Sequence, residues 1–316
     1  MIKVQQLTKQ FGDFTAVNQL SFDVAPGEVL GFLGPNGAGK STTMKMITGF
    51  LPPTSGTVEV FGHDISRQPL AAKRCMGYLP EGAPAYGDMT VLAFLRFIAE
   101  VRGFRAAQQQ QRVAQVVDKT GLTEVLGQAV NTLSKGYKRR VGLAQTLIHD
   151  PQVLILDEPT DGLDPNQKQQ VRDLIRDLAA DKIVIVSTHI LEEVSAVCSR
   201  AMIIAAGQKV IDGTPAELEA RSRYHQALSI RFREPVADGA AAFAALTRVQ
   251  EVDELQQGME YLIIPQPGET LYPDVSALIE QHCWPVESVH IERGRLDDVF
   301  RSLTQVSQWR SVKEVV

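Results

Sequence analysis

The chain has 316 residues, 44% of them hydrophobic and 22% charged, which is typical of a globular protein and long enough to favour two domains. No apolar run approaches the roughly 18 residues of a membrane span, and the first residues lack the apolar core of a secretory signal. The net charge of −5 argues against general nucleic-acid binding. Three cysteines without metal-binding spacing favour a reducing compartment, with buried free thiols: Cys75, Cys198 and Cys283.

Residues 1–215 alternate short β-rich runs with longer helical stretches, which predicts an α/β domain with parallel strands. The strand candidates are EVLGFLG (28–34), RCMGYLPE (74–81), VLILDEP (153–159) and KIVIVSTH (182–189). The last two are almost continuously apolar, as expected for strands that helices cover on both faces.

Residues 88–148 are predicted to be helical. An inward helix face is indicated at spacings of four and three by Val91, Leu95, Ile98 and Val101. The glutamine run at 108–111 is interpreted as an exposed helix start.

Beyond residue 225 the order of elements is β-α-β-β-α-β, with a hairpin turn at 256–258 and a final helix, which suits a small ferredoxin-like α+β domain. Residues 228–316 contain 8 Lys+Arg and 14 Asp+Glu, a balance of −6, which leaves +1 of the total −5 for residues 1–227. We therefore predict an α/β domain at 1–220, with a helical subdomain at about 82–148, and an acidic accessory domain at 226–316.

A phosphate-binding loop follows the first of these strands and precedes a helix. The frame G-x-x-x-x-G-K-[ST] is met by Gly34, Gly39, Lys40 and Ser41. Its glycines allow backbone N–H groups to wrap a phosphate, and the helix adds its positive end. Lys40 is expected to bridge the β- and γ-phosphates, and the Ser41 hydroxyl to hold Mg²⁺.

Polar residues lie at the carboxyl ends of two later predicted strands. Asp157 is expected to face the Mg²⁺ shell, and Glu158 to orient or deprotonate water. His189 ends the next strand, at the edge where α/β sheets bind ligands. No guanine-reading NKxD motif is present, so adenine is the expected base, and the candidate purine surfaces are Phe11, Phe14 and Val17.

With these residues in hand, residues 2–215 resemble the ATP-binding subunit of an ABC transporter. GPNGAGKST resembles the Walker A loop, VLILDE Walker B, DGLDP (161–165) the D-loop, and STH (187–189) the switch-histidine loop. LSKGYKRR (133–140) resembles the family signature, usually written LSGGQ.

The resemblance implies a P-loop NTPase fold with a helical subdomain, and Mg²⁺-dependent hydrolysis of ATP. The implied catalytic residues are Glu158 as general base, His189 as γ-phosphate contact, and Lys40. The implied nucleotide contacts are Phe11 on adenine, the loop Gly34, Pro35, Asn36, Gly37, Ala38, Gly39, Lys40, Ser41 and Thr42, and, from an opposing subunit, Ser134 and Gly136, with Asp164 coupling the two sites. The implied Mg²⁺ ligands are Ser41, Asp157 and Glu81.

The implied partners are a second copy in a head-to-tail homodimer and separate transmembrane permease subunits, with no nucleic acid. The chain is then expected at the cytoplasmic side of the membrane, held there by its partners. The stretch YLPEGAPAYGDMTV and the closing LDDVFRSLT resemble an exporter-type branch that includes gliding-motility, antibiotic-resistance and copper-maturation systems.

Two other functions are alternatives to this one. A soluble ABC ATPase acting on DNA or ribosomes usually has two cassettes, a long coiled coil or a zinc insertion, and this sequence shows none of them. A regulatory protein that binds ATP with little turnover is disfavoured because Glu158 and His189 are present. For the acidic accessory domain, a dimer-contacting or regulatory role and a purely stabilising one stand as equal alternatives.

Three residues depart from the usual family pattern. Lys135 and Tyr137 stand where the signature commonly has Gly and Gln, and Glu81 stands where most members have Gln. Lys135 is expected either to attract the opposing γ-phosphate or to point to water. The three basic residues that follow are predicted to form a solvated face, Lys138, Arg139 and Arg140, with Val141, Ala144 and Ile148 packing inward.

Overall fold

The computed structural model describes residues 1–83 and 85–313, with the backbone alone for 305–313. The described chain forms two compact units, one of Met1–Gly213 together with residues 307–313 and the other of Thr214–Val306. The boundary between the two units therefore lies at residues 213–214, and the domain limits of 1–220 and 226–316 stay predictions.

The first unit contains ten strands and seven α-helices among its described residues. In chain order they are β1 Ile2–Phe11, β2 Phe14–Val24, β3 Val29–Leu33, α1 Lys40–Ile47, β4 Ser55–Val60, β5 His63–Asp64, α2 Pro69–Arg74, β6 Met76–Leu79, α3 Val91–Val101, α4 Ala106–Thr120, α5 Lys135–Leu147, β7 Val153–Asp157, α6 Pro165–Ala179, β8 Ile183–Thr188, α7 Leu191–Val197, β9 Arg200–Ala205 and β10 Gln208–Gly213.

A six-stranded sheet in the order β10-β9-β3-β8-β7-β6 forms the centre of this unit. All its neighbouring strands are parallel except β10, which pairs antiparallel with β9. The four predicted strands are confirmed as β3, β6, β7 and β8. Every residue of β3, β7 and β8 is buried, in agreement with their continuous apolar sequences. The carboxyl ends of these three strands consequently meet at one edge.

A second, antiparallel sheet has the order β2-β1-β4-β5. Its apolar residues share a core with α1 and the central sheet, in which Leu7, Phe32 and Ile155 are fully buried. At the turn of the β1–β2 hairpin, Phe11 pairs with Phe14, and both side chains are exposed. The hairpin therefore presents two aromatic rings next to the start of α1.

The helical stretch at 88–148 is confirmed as α3, α4 and α5, and residues 108–111 lie in the first turns of α4. The predicted inward face of α3 is only partly right. Val91 and Leu95 are buried and Ile98 is half-buried, but Val101 is 66% exposed. Because α3 ends at Val101, this last turn lacks cover, and the buried face is completed by Phe94 and Ala99.

The second unit contains α8 Pro215–Glu219, β11 Leu228–Phe232, α9 Gly239–Ala244, β12 Val249–Gln256, β13 Glu260–Pro265, α10 Tyr272–His282 and β14 Val286–Ile291, and α11 Leu296–Lys313 begins in it. Its sheet order is β12-β13-β11-β14 with every pair antiparallel, which is the arrangement of a ferredoxin-like βαββαβ sandwich. Its core holds a cluster of rings formed by Phe232, Phe243, Tyr261 and Trp284.

Within the described residues, no helix has both the length and the apolar character needed to span a bilayer.

His149, which follows α5, is a half-buried titratable group in the first unit. Its Nε2 lies 2.9 Å from the carbonyl oxygen of Met76, and burial lowers its pKa to about 4, with the positive charge of Arg102 acting in the same direction. The folded protein therefore holds this ring neutral at pH values where the unfolded chain takes up a proton.

We expect this difference to make folding sensitive to acid. Since the folded pKa of His149 lies below the unfolded value of 6.5, stability is lost as pH falls from about 6.5 to about 4. Relative to His149→Gln, which keeps a donor for Met76, the native chain should lose on the order of 2 kcal/mol across that window. Urea unfolding of both proteins at pH 7 and pH 4.5 measures this, and parallel pH profiles would contradict it.

Candidate nucleotide-binding site

The loop between β3 and α1 requires glycine at defined points. Gly39 has φ of 100°, and a Cβ there would lie 2.5 Å from the carbonyl oxygen of Ala16. A Cβ on Gly34 would lie 2.6 Å from the carbonyl oxygen of Ile204. The loop is therefore packed closely against the β1–β2 hairpin and β9, which holds its backbone in one path before α1.

Lys40 is the first residue of α1 and is 7% exposed. Its Nζ donates hydrogen bonds to the carbonyl oxygens of Gly34, at 2.8 Å, and of Pro35, at 3.3 Å. Burial lowers the pKa of Lys40, while nearby carboxylates, first Glu158 and then Asp157, favour the charged ammonium. The side chain thus folds over the loop and presents a positive charge at the amino end of the helix.

Asp157 and Glu158 close β7 in different environments. Asp157 is 1% exposed, and its carboxylate accepts a hydrogen bond from the Ser187 hydroxyl of β8. Glu158 adopts φ of 51°, the left-handed region that non-glycine residues rarely occupy, and its N–H donates to the carbonyl oxygen of Ser187 at 3.0 Å. Backbone strain of this kind is concentrated at functional sites, and here it marks the point where the strand ends.

The carboxylate of Glu158 contacts the imidazole of His189. The two carboxylate oxygens lie 3.1 and 3.0 Å from Nδ1. When Nδ1–H donates to the carboxylate, Nε2 is left to make a second hydrogen bond on the other side of the ring. The pair therefore combines an oriented ring with an acceptor that is able to take a proton.

These groups surround a cleft of about 510 Å³. Its lining comes from segments far apart in the sequence: Phe11, Phe14, Ala16, Asn36, Gly37, Gly39, Lys40, Ser41, Thr42, Glu81, Glu158, Asp161 and His189. Gly34, Pro35 and Ala38 belong to the loop but do not line the cleft. Val17 is fully buried in the core, so its predicted role as a purine surface is wrong, because β2 turns this side chain inward.

Three further predicted nucleotide contacts, beyond the phosphate loop, also lie outside the cleft and have local structural partners. The Ser134 side chain caps α5 by accepting from the Tyr137 N–H at 3.3 Å, and Asp164 caps α6 by accepting from the Gln167 N–H at 2.9 Å. A Cβ on Gly136 would lie 2.5 Å from Gln167 Oε1, so this glycine allows α5 and α6 to approach. The contacts of these residues with an opposing subunit stay a prediction.

Lys135 forms an ion pair within its own chain. Its Nζ lies 3.1 Å from Oδ2 of Asp161, and this hydrogen bond lowers the pKa of the Asp161 carboxyl group. A Cβ on Gly162 would overlap the Lys135 ammonium, so the glycine leaves room for the pair. The residue that departs from the family signature is therefore compensated by a carboxylate that lines the cleft of the same chain.

The prediction that Arg139 belongs to a solvated face of α5 is wrong. Val141, Ala144 and Ile148 are fully buried as expected, but Arg139 is only 3% exposed. Its guanidinium donates to the carbonyl oxygen of Pro80 at 3.4 Å, and burial lowers its pKa while four carboxylates, first Asp161, favour its charge. Arg139 faces inward because the Pro80 carbonyl oxygen and these carboxylates interact with its charge on that side of α5.

Arg139 lines a second cavity, of about 460 Å³, beside the first. Ser41, Glu81 and Asp161 line both cavities, and Asp157 lines the second. The hydroxyl and carboxylate oxygens at this junction are the donors that Mg²⁺ prefers. Among the described residues no group of three or more His, Cys, Asp or Glu forms a metal site from protein alone.

Three residues of functional interest were missed from the sequence: Asp161, Arg139 and Glu193. Asp161 carried a usable signal, since it follows Glu158 by three residues in the same strand-end turn. Glu193 follows His189 by four residues, which places it on the next helix, but its burial could not be inferred.

The Lys135–Asp161 pair generates a test. Lys135→Met leaves the Asp161 carboxylate uncompensated in a cleft for a polyanion, so we expect ATP to bind about two- to fivefold more weakly, in line with the 0.2–1 kcal/mol of an exposed ion pair. Asp161→Asn should restore binding in the Lys135→Met background. Calorimetric titration with a non-hydrolysable ATP analogue measures the cycle. Equal losses with and without Asp161 would show that the two residues act independently.

The comparisons with known proteins agree with this geometry. The family model described as "ABC transporter" matches residues 17–161. A "Probable multidrug ABC transporter ATP-binding protein YbhF" of Escherichia coli is 39% identical over 223 residues, which cover 70% of this chain and 38% of that protein. The chain thus spans well under half of that relative's length.

Two further relatives match over most of their length. The linearmycin resistance ATP-binding protein LnrL of Bacillus subtilis is 30% identical over 305 residues, covering 96% of this chain and 98% of that protein. A solved ATP-binding subunit of an ABC transporter is 28% identical with a TM-score of 0.64, covering 69% of this chain and 92% of that one. On the agreement of motifs, fold and relatives, the chain belongs to the ABC transporter family, among its ATP-binding proteins.

Proposed function

We propose that the chain binds and hydrolyses ATP and thereby powers an ABC transporter, through ATP-driven dimerisation coupled to separate membrane subunits. The observation that carries the proposal is the contact between Glu158 and His189 at the wall of a cleft that also contains Lys40 and the amino end of α1. A base, a ring donor and an anion-binding helix end are the parts that hydrolysis of a bound triphosphate requires.

The nucleotide is placed by two features of the cleft. Its phosphates bind the loop at 34–39 and the first N–H groups of α1, where the helix dipole and the Lys40 ammonium both favour negative charge. The adenine stacks on Phe11, whose ring is 50% exposed and has Lys9 Nζ at 5.2 Å from its centroid. This orientation directs the γ-phosphate toward the ends of β7 and β8.

Mg²⁺ would be held by the Ser41 hydroxyl and, directly or through water, by Asp157 and Glu81. When bound, the ion supplies positive charge that offsets the phosphate oxygens. Asp157 suits this role because the Ser187 hydroxyl holds its buried carboxylate in place. Glu81, where most family members have Gln, adds a second negative charge at the junction of the two cavities.

Glu158 and His189 divide the chemistry of the reaction. Glu158 orients the attacking water and takes its proton, since its carboxylate is the acceptor at the γ-phosphate end of the cleft. With a proton on both ring nitrogens, His189 donates to the γ-phosphate from Nε2–H while Nδ1–H stays on Glu158. Because one carboxylate contacts both water and ring, a change at Glu158 affects both functions.

The second copy completes the site. Ser134 and Gly136 lie at the amino end of α5 and outside the cleft of their own chain, so their anion-binding N–H groups are available to the γ-phosphate held by a partner. Asp164 lies at the amino end of α6, on the segment that begins with Asp161, and couples the two sites. ATP then joins two copies head to tail, and hydrolysis loosens them.

Separate membrane subunits receive this motion through the helical subdomain at about 82–148. The chain then acts at the cytoplasmic side of a membrane, where its partners hold it. The similarity to a linearmycin resistance protein over 96% of the chain supports the exporter-type branch.

Replacing the proposed base is the direct test. Glu158→Gln keeps the shape of the side chain but removes the proton acceptor, so we expect the rate of phosphate release to fall at least about 100-fold, in the range of general-base catalysis. The same variant should accumulate as a dimer with MgATP, measured by light scattering after size-exclusion chromatography. Asp177→Asn, at an exposed position of α6, is the matched control and should behave as the native chain. Unchanged turnover in Glu158→Gln would overturn the proposed role.

A further inference from the structure

Glu193 lies in α7, four residues beyond His189, and does not line the nucleotide cleft. It is 3% exposed, although a carboxylate is costly to bury without hydrogen-bond donors. Its neighbour Glu192, in the same turn, is exposed. A buried acidic side chain beside a reaction site calls for specific partners.

Two threonine hydroxyls supply them. Thr160 Oγ1 donates to one carboxylate oxygen of Glu193, and Thr188 Oγ1 donates to the other at 3.1 Å. Thr160 and Thr188 are both almost fully buried. Both oxygens of Glu193 therefore hold hydroxyl groups that come from different strand ends, one beyond β7 and one on β8.

Each threonine is joined by a short path to one member of the Glu158–His189 pair. Thr160 follows Glu158 by two residues, in a turn closed by the hydrogen bond from the Asp161 N–H to the Glu158 carbonyl oxygen at 3.2 Å. Thr188 immediately precedes His189, and its Oγ1 also accepts from the Ile190 N–H at 3.0 Å. One carboxylate thus ties together the two segments that carry the pair.

The surroundings leave Glu193 little freedom to move. The cavity beside it measures only about 10 Å³ and is lined by apolar and polar side chains of β8, α6 and α7. Because the hydroxyls are buried as well, water does not readily replace either hydrogen bond. Loss of the carboxylate should therefore loosen the strand ends rather than be repaired by solvent.

We propose that Glu193 is a positioning residue for ATP hydrolysis, which fixes the Glu158–His189 contact by accepting hydrogen bonds from Thr160 and Thr188. The inference rests on the roles proposed above for Glu158 and His189. Neither Glu193 nor the two threonines line the nucleotide cleft. Loss of the Glu193 carboxylate should therefore lower kcat and leave nucleotide affinity unchanged.

Matched substitutions at Thr160 separate hydrogen bonding from packing. Thr160→Val keeps the shape and removes the hydroxyl, whereas Thr160→Ser keeps the hydroxyl and removes a methyl group. We expect kcat to fall about tenfold in Thr160→Val and to stay within about twofold in Thr160→Ser, with the dissociation constant for a non-hydrolysable ATP analogue unchanged in both. A packing role gives the opposite order, or equal losses.

Glu193 itself is tested in the same assay. Glu193→Ala should lower kcat by about tenfold or more, and Glu193→Gln, which retains one acceptor oxygen, should be intermediate. Glu192→Gln is the exposed control and should match the native chain. In the Glu193→Ala background, adding Thr160→Val should cause no further loss, because the hydrogen bond is already absent. If Glu193→Ala does not fold, the Thr160 pair alone decides.

The proposal is overturned if Thr160→Val is as active as Thr160→Ser, or if nucleotide affinity falls in proportion to kcat. Measuring Glu158→Gln alongside separates the two levels of inference. Full turnover in Glu158→Gln overturns the proposed function, and with it the basis of the positioning role. An inactive Glu158→Gln with a fully active Thr160→Val overturns the role of Glu193 alone.

Discussion

The parallel pairing of β7 with β8 is the constraint on which the site depends. In this register Asp157 lies opposite Ser187, whose hydroxyl holds the Asp157 carboxylate and whose carbonyl oxygen accepts from the Glu158 N–H. Glu158 and His189 directly follow the ends of these two strands and therefore lie side by side. A register shift of one residue would turn each side chain to the opposite face, so the pairing of the backbone decides whether the two groups meet.

Four carboxylates are concentrated around this strand edge. Glu81, Glu158 and Asp161 line the cleft, and Asp157 lines the second cavity beside it. The balancing cations come from α1 and α5: Lys40 lies over the loop, Lys135 pairs with Asp161, and the buried Arg139 faces the same carboxylates. The amino ends of two helices and their cations thus offset the carboxylates that we propose for metal binding and for activation of water, and Lys135 of the signature belongs to this balance.

Rigidity behind the cleft matters as much as the groups inside it. Gly136 lets α5 approach α6 at Gln167, and Ser134 and Asp164 cap these helices. Glu193, which does not line the cleft, joins the two strand ends. Several residues that belong to family sequence motifs therefore also stabilise the fold of their own chain. Their contacts with a second copy, if made as proposed, use backbone groups that these local hydrogen bonds have already oriented.

The sequence by itself determined the features that short-range patterns encode. The phosphate loop is contiguous, the strands β3, β7 and β8 are marked by unbroken apolar runs, and the β-α-β-β-α-β order of the second unit follows from the local period of each segment. Glu158 and His189 were recognisable because each directly follows such a strand. The tertiary structure alone decided the burial of Arg139, the exposure of Val101, the inward turn of Val17 and the partners of Lys135 and Glu193. The physical reason is that burial and hydrogen bonding depend on which face of an element meets its neighbours, and the pairs Lys135–Asp161 and Thr160–Glu193 join residues 26 and 33 positions apart, beyond the reach of any local pattern.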